Sequence, residues 1–173
     1  EMYRKLHEEN AFQGNSWQQH YEQMTRFLDH RAVVVLDYGC GPSGGIAKHE
    51  DTNKYFRVVP YDPFVPKYNA WPWDEVFDTF VSFDVFEHLT EDAARDVLRT
   101  LVKRLAVRRI FIALSTRAAT KLFSNGANVH LTVRSADWWQ GFFDGILGNT
   151  FDCEVSISYT RKDEAIFGYT RKK

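Results

Sequence analysis

The chain has 173 residues, 44% of them hydrophobic and 16% aromatic, enough to bury one core and make one compact domain. Its 22 basic and 23 acidic residues leave a formal charge of −1, which excludes the clustered positive charge of a duplex nucleic-acid binder. No apolar run approaches the roughly 18 residues of a membrane span; no secretory leader is recognisable, and two cysteines, Cys40 and Cys153, make no disulfide framework, so a cytoplasmic setting is expected.

Residues 1–32 are polar and aromatic and read as an N-terminal helical cap on a domain spanning 33–173. Ser16-Trp17-Gln18-Gln19 is a capping box, and Trp17, Tyr21, Met24, Phe27 and Leu28 follow at helical spacing. Val33-Val34-Val35-Leu36 then reads as a strand buried on both faces, running into a turn with glycines at 39, 41 and 44. That is the layout of a nucleotide pocket, with Asp37 at the carboxyl end of the strand, where open α/β sheets bind ligands. The glycines also fit G-x-G-x-x-G, the fingerprint of nicotinamide-binding folds. A carboxylate at position 37 suits a ligand bearing an ammonium or hydroxyls better than a pyrophosphate.

Leu36-Asp37-Tyr38-Gly39-Cys40-Gly41-Pro42 resembles motif I of the class I S-adenosylmethionine-dependent methyltransferases. The resemblance implies S-adenosylmethionine as cofactor, its methionine end held by Asp37, Gly39, Cys40, Gly41 and Gly44. Beyond the turn, 46–51 has room only for a short helix, and 55–61 is β-rich and ends in Asp62-Pro63. An acid about 20 residues past a glycine turn is placed to accept hydrogen bonds from ribose hydroxyls, so Asp62 joins the cofactor-binding set. Residues 64–75, with Pro66 and Pro72 among Trp71, Trp73 and Asp74, are too broken for a central strand, so the family's third strand is expected to be reduced or absent. Asp74 is a candidate adenine contact. Trp71 and Trp73 either stack on the base or cover the sheet edge.

Phe77-Asp78-Thr79-Phe80-Val81-Ser82-Phe83-Asp84-Val85-Phe86-Glu87-His88-Leu89 reads as a strand entering a turn. It resembles a segment of many small-molecule and some RNA methyltransferases, which places Phe83 and Asp84 at the cofactor. Residues 84, 87 and 88 stand at i, i+3 and i+4, so one helical turn would gather two carboxylates and an imidazole on a single face. In the ubiquinone-biosynthesis O-methyltransferases and small-RNA 2′-O-methyltransferases, which the segment resembles, an acid-x-x-Glu-His run and a later histidine bind a metal. The resemblance thus implies Asp84, Glu87, His88 and His130 around Mg²⁺ or Mn²⁺, with Asp84 one methylene shorter than the usual Glu. The same residues also suit metal-free positioning of cofactor or substrate, and His130 suits a general base. Glu87, His88 and His130 are the candidate catalytic residues.

Thr90 caps a helix running to about residue 106, followed by a strand over 108–115 and an exit loop holding Arg117. Residues 118–128, small and polar, read as a lid. A helix begins near Ser135 with Trp138, Trp139, Phe142, Phe143, Ile146 and Leu147 on its buried side, and 151–159 with 165–169 form a terminal hairpin. The expected fold is α/β, a Rossmann-like class I methyltransferase sandwich, mostly parallel, with a C-terminal antiparallel hairpin. The expected activity is methyl transfer from S-adenosylmethionine to oxygen on a small molecule or sugar, in a cleft lined by Trp17, Tyr21, Arg117 and His130. A catalytically inactive binding module and a nicotinamide-dependent oxidoreductase are the alternatives. The partners exclude duplex nucleic acid and membrane.

Overall fold

The structure, a computed structural model, describes residues 3, 5, 15–28, 33–49, 52–72, 74–104, 106–159 and 163–173. Trp73, Leu105, Arg161 and Lys162 lie outside the described residues. Two compact units make up the chain, residues 1–83 and 84–173.

The first unit is built on three parallel strands, β1 (Val33–Tyr38), β2 (Phe56–Tyr61) and β3 (Thr79–Phe83), with β1 paired to both of the others. Every residue of β3 is buried, as are Val35 and Leu36 of β1, which is why both read as unbroken β-branched and aromatic runs rather than alternating ones. Ser82 is tolerated there because its hydroxyl donates to the Tyr38 carbonyl at 3.1 Å. A turn over 41–44, a 3₁₀ helix (Gly45–Lys48) and a single α turn, α2 (Thr52–Tyr55), occupy the place of the one short helix expected over 46–51.

Helix α1 (Trp17–Leu28) buries Trp17, His20, Met24 and Leu28, the i, i+3, i+4 stripe of an amphipathic helix. It belongs to the same compact unit as the strands. The His20 ring lies parallel to that of Phe83 with centroids 6.4 Å apart, and Trp17 and Tyr21 both contact His49. Among the described residues between β2 and β3 no strand forms, in keeping with Pro63, Pro66 and Pro72, each of which removes a ladder donor. Tyr38, Tyr61, Trp71 and Phe80 instead pack as one aromatic group, Trp71 edge-on to Tyr61 at 4.8 Å. Trp71 therefore covers the strands, the second of the two roles open to it.

The second unit opens with a 3₁₀ helix (Phe86–His88) and α3 (Glu91–Lys103), whose N-cap Thr90 accepts from the Ala93 N–H. Strand β4 (Arg109–Ser115), α4 (Ala136–Leu147), β5 (Phe151–Tyr159) and β6 (Glu164–Arg171) follow, with β6 antiparallel to both β4 and β5. The terminal hairpin is thus formed by β5 and β6, and Ser135 caps α4 through the Trp138 N–H. Its core is aromatic: Phe143 of α4 meets Phe86 at 5.6 Å and Phe167 at 5.1 Å, beside buried Trp139 and Tyr169. Among the described residues no helix is long and apolar enough to cross a membrane.

Arg171 closes this unit. Its guanidinium donates to the carbonyls of Val107 at 2.6 Å, Arg104 at 3.0 Å and Val102 at 3.3 Å while lying 4.7 Å over the Phe151 ring. Val102 lies in the last turn of α3, Arg104 is its C-cap and Val107 follows it, so one cation gathers the helix end and the chain leaving it and ties the last strand to both. Arg171→Ala is expected to lower stability by about 2–4 kcal/mol in urea unfolding, and Arg171→Lys to recover only part, because one ammonium cannot reach three carbonyls from a planar fork.

Candidate functional site

Asp37 is the fifth residue of β1 and is only 2% exposed. Its Oδ2 accepts the Ile46 N–H at 2.9 Å, so the strand end and the far side of the glycine turn are held by one carboxylate. The close approach explains Gly45, which has φ 55° and whose added Cβ would sit 1.9 Å from that same oxygen. Gly44, with φ 81°, has the Tyr68 hydroxyl 2.6 Å from where a Cβ would stand. The glycine requirement at 44 and 45 is therefore met inside the turn, by its own acid and tyrosine.

Asp62 mirrors Asp37 at the end of β2. It is 4% exposed, with Oδ2 accepting the Gly41 N–H at 3.0 Å and Oδ1 the Phe64 N–H at 2.9 Å. Gly39 and Cys40 donate their N–H groups to the Tyr61 carbonyl at 2.8 and 3.2 Å. Neither acid has a basic side-chain partner among the described residues. Burial pushes Asp37 up to about 7, with the charge of Asp62 adding to it and the Ile46 N–H opposing. Burial likewise raises the Cys40 thiol well above its ordinary range, with the charges of Asp37 and Asp62 adding to it. Phe83 is 7% exposed and packs with His20, and Asp74 is exposed.

The second unit carries the other cluster. Glu87 is fully buried; its Oε1 accepts the Ser115 N–H at 2.8 Å and its Oε2 has no hydrogen-bond partner among the described residues. Burial, followed by the charge of Asp84, holds its carboxyl well above the usual carboxylate range. His88 bonds the Val129 carbonyl through Nδ1 at 3.0 Å, and His130 bonds the Arg117 carbonyl through Nδ1 at 2.6 Å. A ring nitrogen facing a carbonyl must be the protonated one, so Nε2 carries the lone pair in both neutral rings. The two rings stand 4.7 Å apart at 87°, and one ligand atom from each of Glu87, His88 and His130 lies within 4.8 Å of the others.

Asp84 is not in this group. The single helical turn expected over 84–88 does not form: the 3₁₀ helix covers only Phe86–His88, and Asp84 has φ 52°, left-handed, with its N–H bonded to the Ala113 carbonyl at 2.9 Å. Helical spacing therefore fails for 84 and holds for the pair 87 and 88 by adjacency. Arg117 takes part through its carbonyl and is exposed. Residues 118–128 are folded on themselves: Asn128 Oδ1 accepts the Ala119 and His130 N–H groups, its Nδ2 donates to the Ala119 carbonyl, and Phe123 is buried.

Sequence reasoning missed Asn128, Tyr68 and Thr132. Thr132 is 2% exposed, donates its hydroxyl to the Leu89 carbonyl at 2.7 Å and its N–H to the Glu87 carbonyl at 3.0 Å, stitching the His130 loop to the Glu87 loop. Asn128-Val129-His130 is a readable Asx turn, since asparagine favours bonding the N–H two residues on.

No family model matches the chain, and no curated protein matches it in sequence. Solved structures do match it. The bacterial CtHen1-C methyltransferase domain superposes with a TM-score of 0.67 at 12% identity, over 92% of this chain and 100% of that one. CalS10, an amino pentose methyltransferase from Micromonospora echinaspora solved with S-adenosylmethionine bound, gives 0.60 at 10% identity over 99% and 97%. An O-methyltransferase family 2 protein from Planctomyces limnophilus, in complex with apigenin, gives 0.54 at 12% identity over 84% of this chain and 51% of its own, so this chain spans about half its length. The fold is thus the α/β Rossmann-like fold of class I S-adenosylmethionine-dependent methyltransferases, with parallel strands first and antiparallel strands last.

Burial of Asp37 has a measurable consequence. Its pKa is raised from 3.8 to about 7, so folding favours the protonated acid; the penalty is absent below pH 3.8, grows as pH rises and is complete above about 7. Asp37→Asn keeps an acceptor for the Ile46 N–H and removes the ionisation. In urea unfolding it is expected to match the parent near pH 3.8 and to exceed it above about pH 7 by on the order of 4 kcal/mol. A pH-independent difference between the two proteins would contradict this assignment.

Proposed function

We propose that the chain is an S-adenosylmethionine-dependent methyltransferase domain acting on oxygen of a small molecule or sugar. The observation that carries the reading is the pair of buried carboxylates, Asp37 and Asp62, bonded to the glycine turn's own N–H groups and lacking a basic partner among the described residues. Such a turn is an unfavourable place for a pyrophosphate and a favourable one for a ligand bearing an ammonium and hydroxyls, which argues against the nicotinamide alternative. Asp37 would attract the ammonium of the methionine end, and Asp62, whose oxygens each keep a second lone pair, would accept from the ribose. Gly39, Cys40, Gly41 and Gly44 form the wall, and Phe83 with His20 backs it. The cofactor supplies an electrophilic sulfonium methyl group, and the protein's contribution is orientation and exclusion of water.

In the second unit, Glu87, His88 and His130 fit a divalent cation: an orphaned buried oxygen and two imidazoles whose Nδ1 protons are already placed on carbonyls, the arrangement that orients metal-ligating histidines. Held there, a cation would lower the pKa of an acceptor hydroxyl, which favours oxygen. Without one, His130 Nε2 is the general base. The binding-module alternative draws support from the four-residue helices that follow the glycine turn and from the lack of a strand among the described residues between β2 and β3.

The test is calorimetric titration of S-adenosylhomocysteine into chelator-treated protein. Binding is expected without added metal and is expected to weaken about tenfold in Asp37→Asn, the loss of one charge-assisted contact. Because a cationic ligand selects ionised Asp37, affinity is expected to rise with pH through about 7 in the parent and to stay flat in the variant. No binding under any metal condition would overturn the methyltransferase reading. Binding without turnover across hydroxylated small molecules and sugars would leave the binding module.

A further inference from the structure

The glycine turn spends nearly all of its own donors. Gly39 and Cys40 give their N–H groups to the Tyr61 carbonyl, Gly41 to Asp62 Oδ2, Gly44 to the Gly41 carbonyl at 3.1 Å, Gly45 to Ser43 Oγ at 3.2 Å and Ile46 to Asp37 Oδ2. Pro42 has no N–H, so Ser43 holds the one backbone donor of residues 39–46 outside this set. An anionic group arriving at the turn therefore depends on a side chain. An amino-acid head carries such a group: its ammonium suits Asp37, but its carboxylate needs a donor, which an ionised Asp37 or Asp62 cannot be.

The side chain at hand is Tyr68. Its hydroxyl oxygen lies 2.6 Å from where a Gly44 Cβ would stand, one residue before the glycine that Asp37 crowds, and it makes no hydrogen bond to a described residue. The backbone fixes it there. The Asp62 N–H donates to the Tyr68 carbonyl at 3.0 Å, the Tyr68 N–H to the Val65 carbonyl at 2.8 Å and the Phe64 N–H to Asp62 Oδ1 at 2.9 Å, with Pro63 and Pro66 restricting φ between them. The loop 62–68 thus closes on Asp62, and the acid that holds Gly41 also holds the residue that meets Gly44. Lys67, the only cation of this loop, has its Nζ 5.0 Å from the Tyr68 ring centroid, which biases that corner of the turn toward an anion. We infer that Tyr68 is a positioning residue for the cofactor: its hydroxyl donates to the carboxylate of the amino-acid end while Asp37 faces the ammonium, so an acid and a phenol at neighbouring residues of the turn read the head as a zwitterion. The inference rests on the S-adenosylmethionine reading given above and adds to it a residue outside both sequence motifs.

The experiment is calorimetric titration of the full chain with two ligands: S-adenosylhomocysteine, and 5′-deoxy-5′-methylthioadenosine, which keeps the nucleoside and thioether but lacks the amino-acid end. Tyr68→Phe keeps the ring against the turn and removes only the hydroxyl. It is expected to weaken S-adenosylhomocysteine about tenfold or more, the loss of a hydrogen bond to a charged group, and to leave methylthioadenosine within about twofold of the parent. Equal weakening of both ligands, the signature of a ring that merely supports the turn, would overturn the inference. Unchanged affinity for S-adenosylhomocysteine would overturn it as well, and either result leaves the cofactor reading standing. Failure of the parent to bind either ligand would overturn both.

Discussion

A buried carboxylate receiving a backbone N–H is the constraint on which the glycine turn depends. Asp37 reaches across nine residues to Ile46, and once that bond is made, Gly45 has no room for a side chain and the chain must pass through positive φ at 44 and 45. The turn's shape follows from the acid and not the reverse. A second acid, Asp62, secures the other side of the same turn through Gly41, so the loop is supported at both ends by buried carboxylates, and burial raises the pKa of Asp37. Burying Asp37 costs stability wherever it is ionised, so the turn's geometry is held at an energetic cost.

The second unit repeats the device with a different outcome. Glu87 takes the Ser115 N–H on one oxygen, as Asp37 takes Ile46, but its carboxylate lies beside two imidazoles rather than behind a glycine turn. The two histidines are oriented by carbonyls of residues that carry no chemistry of their own, Val129 and Arg117. Loop backbone thus serves as the outer layer of the cluster, and the side chains that hold that backbone, Asn128 and Thr132, matter as much to its geometry as the three clustered side chains do.

Much of this was legible in the sequence. Strands β1 and β3 declared themselves as β-branched and aromatic runs at 33–36 and 79–83, capping residues Thr90 and Ser135 marked helix starts, and among the described residues the prolines of 63–72 coincide with the lack of a strand. The burial of the acids at 37 and 62 beside the glycine turn agrees with their position at the strand ends, and His130, pointed to by the resemblance, stands 4.7 Å from the His88 ring. What sequence could not convey was backbone conformation off the regular periods. Residue 84 was assigned to a helical face by spacing, yet the chain leaves the helix before it begins, and a single left-handed aspartate moves one carboxylate out of a group of four. Tyr68 and Thr132 gave no signal, since their roles depend on loops meeting far from one another in sequence.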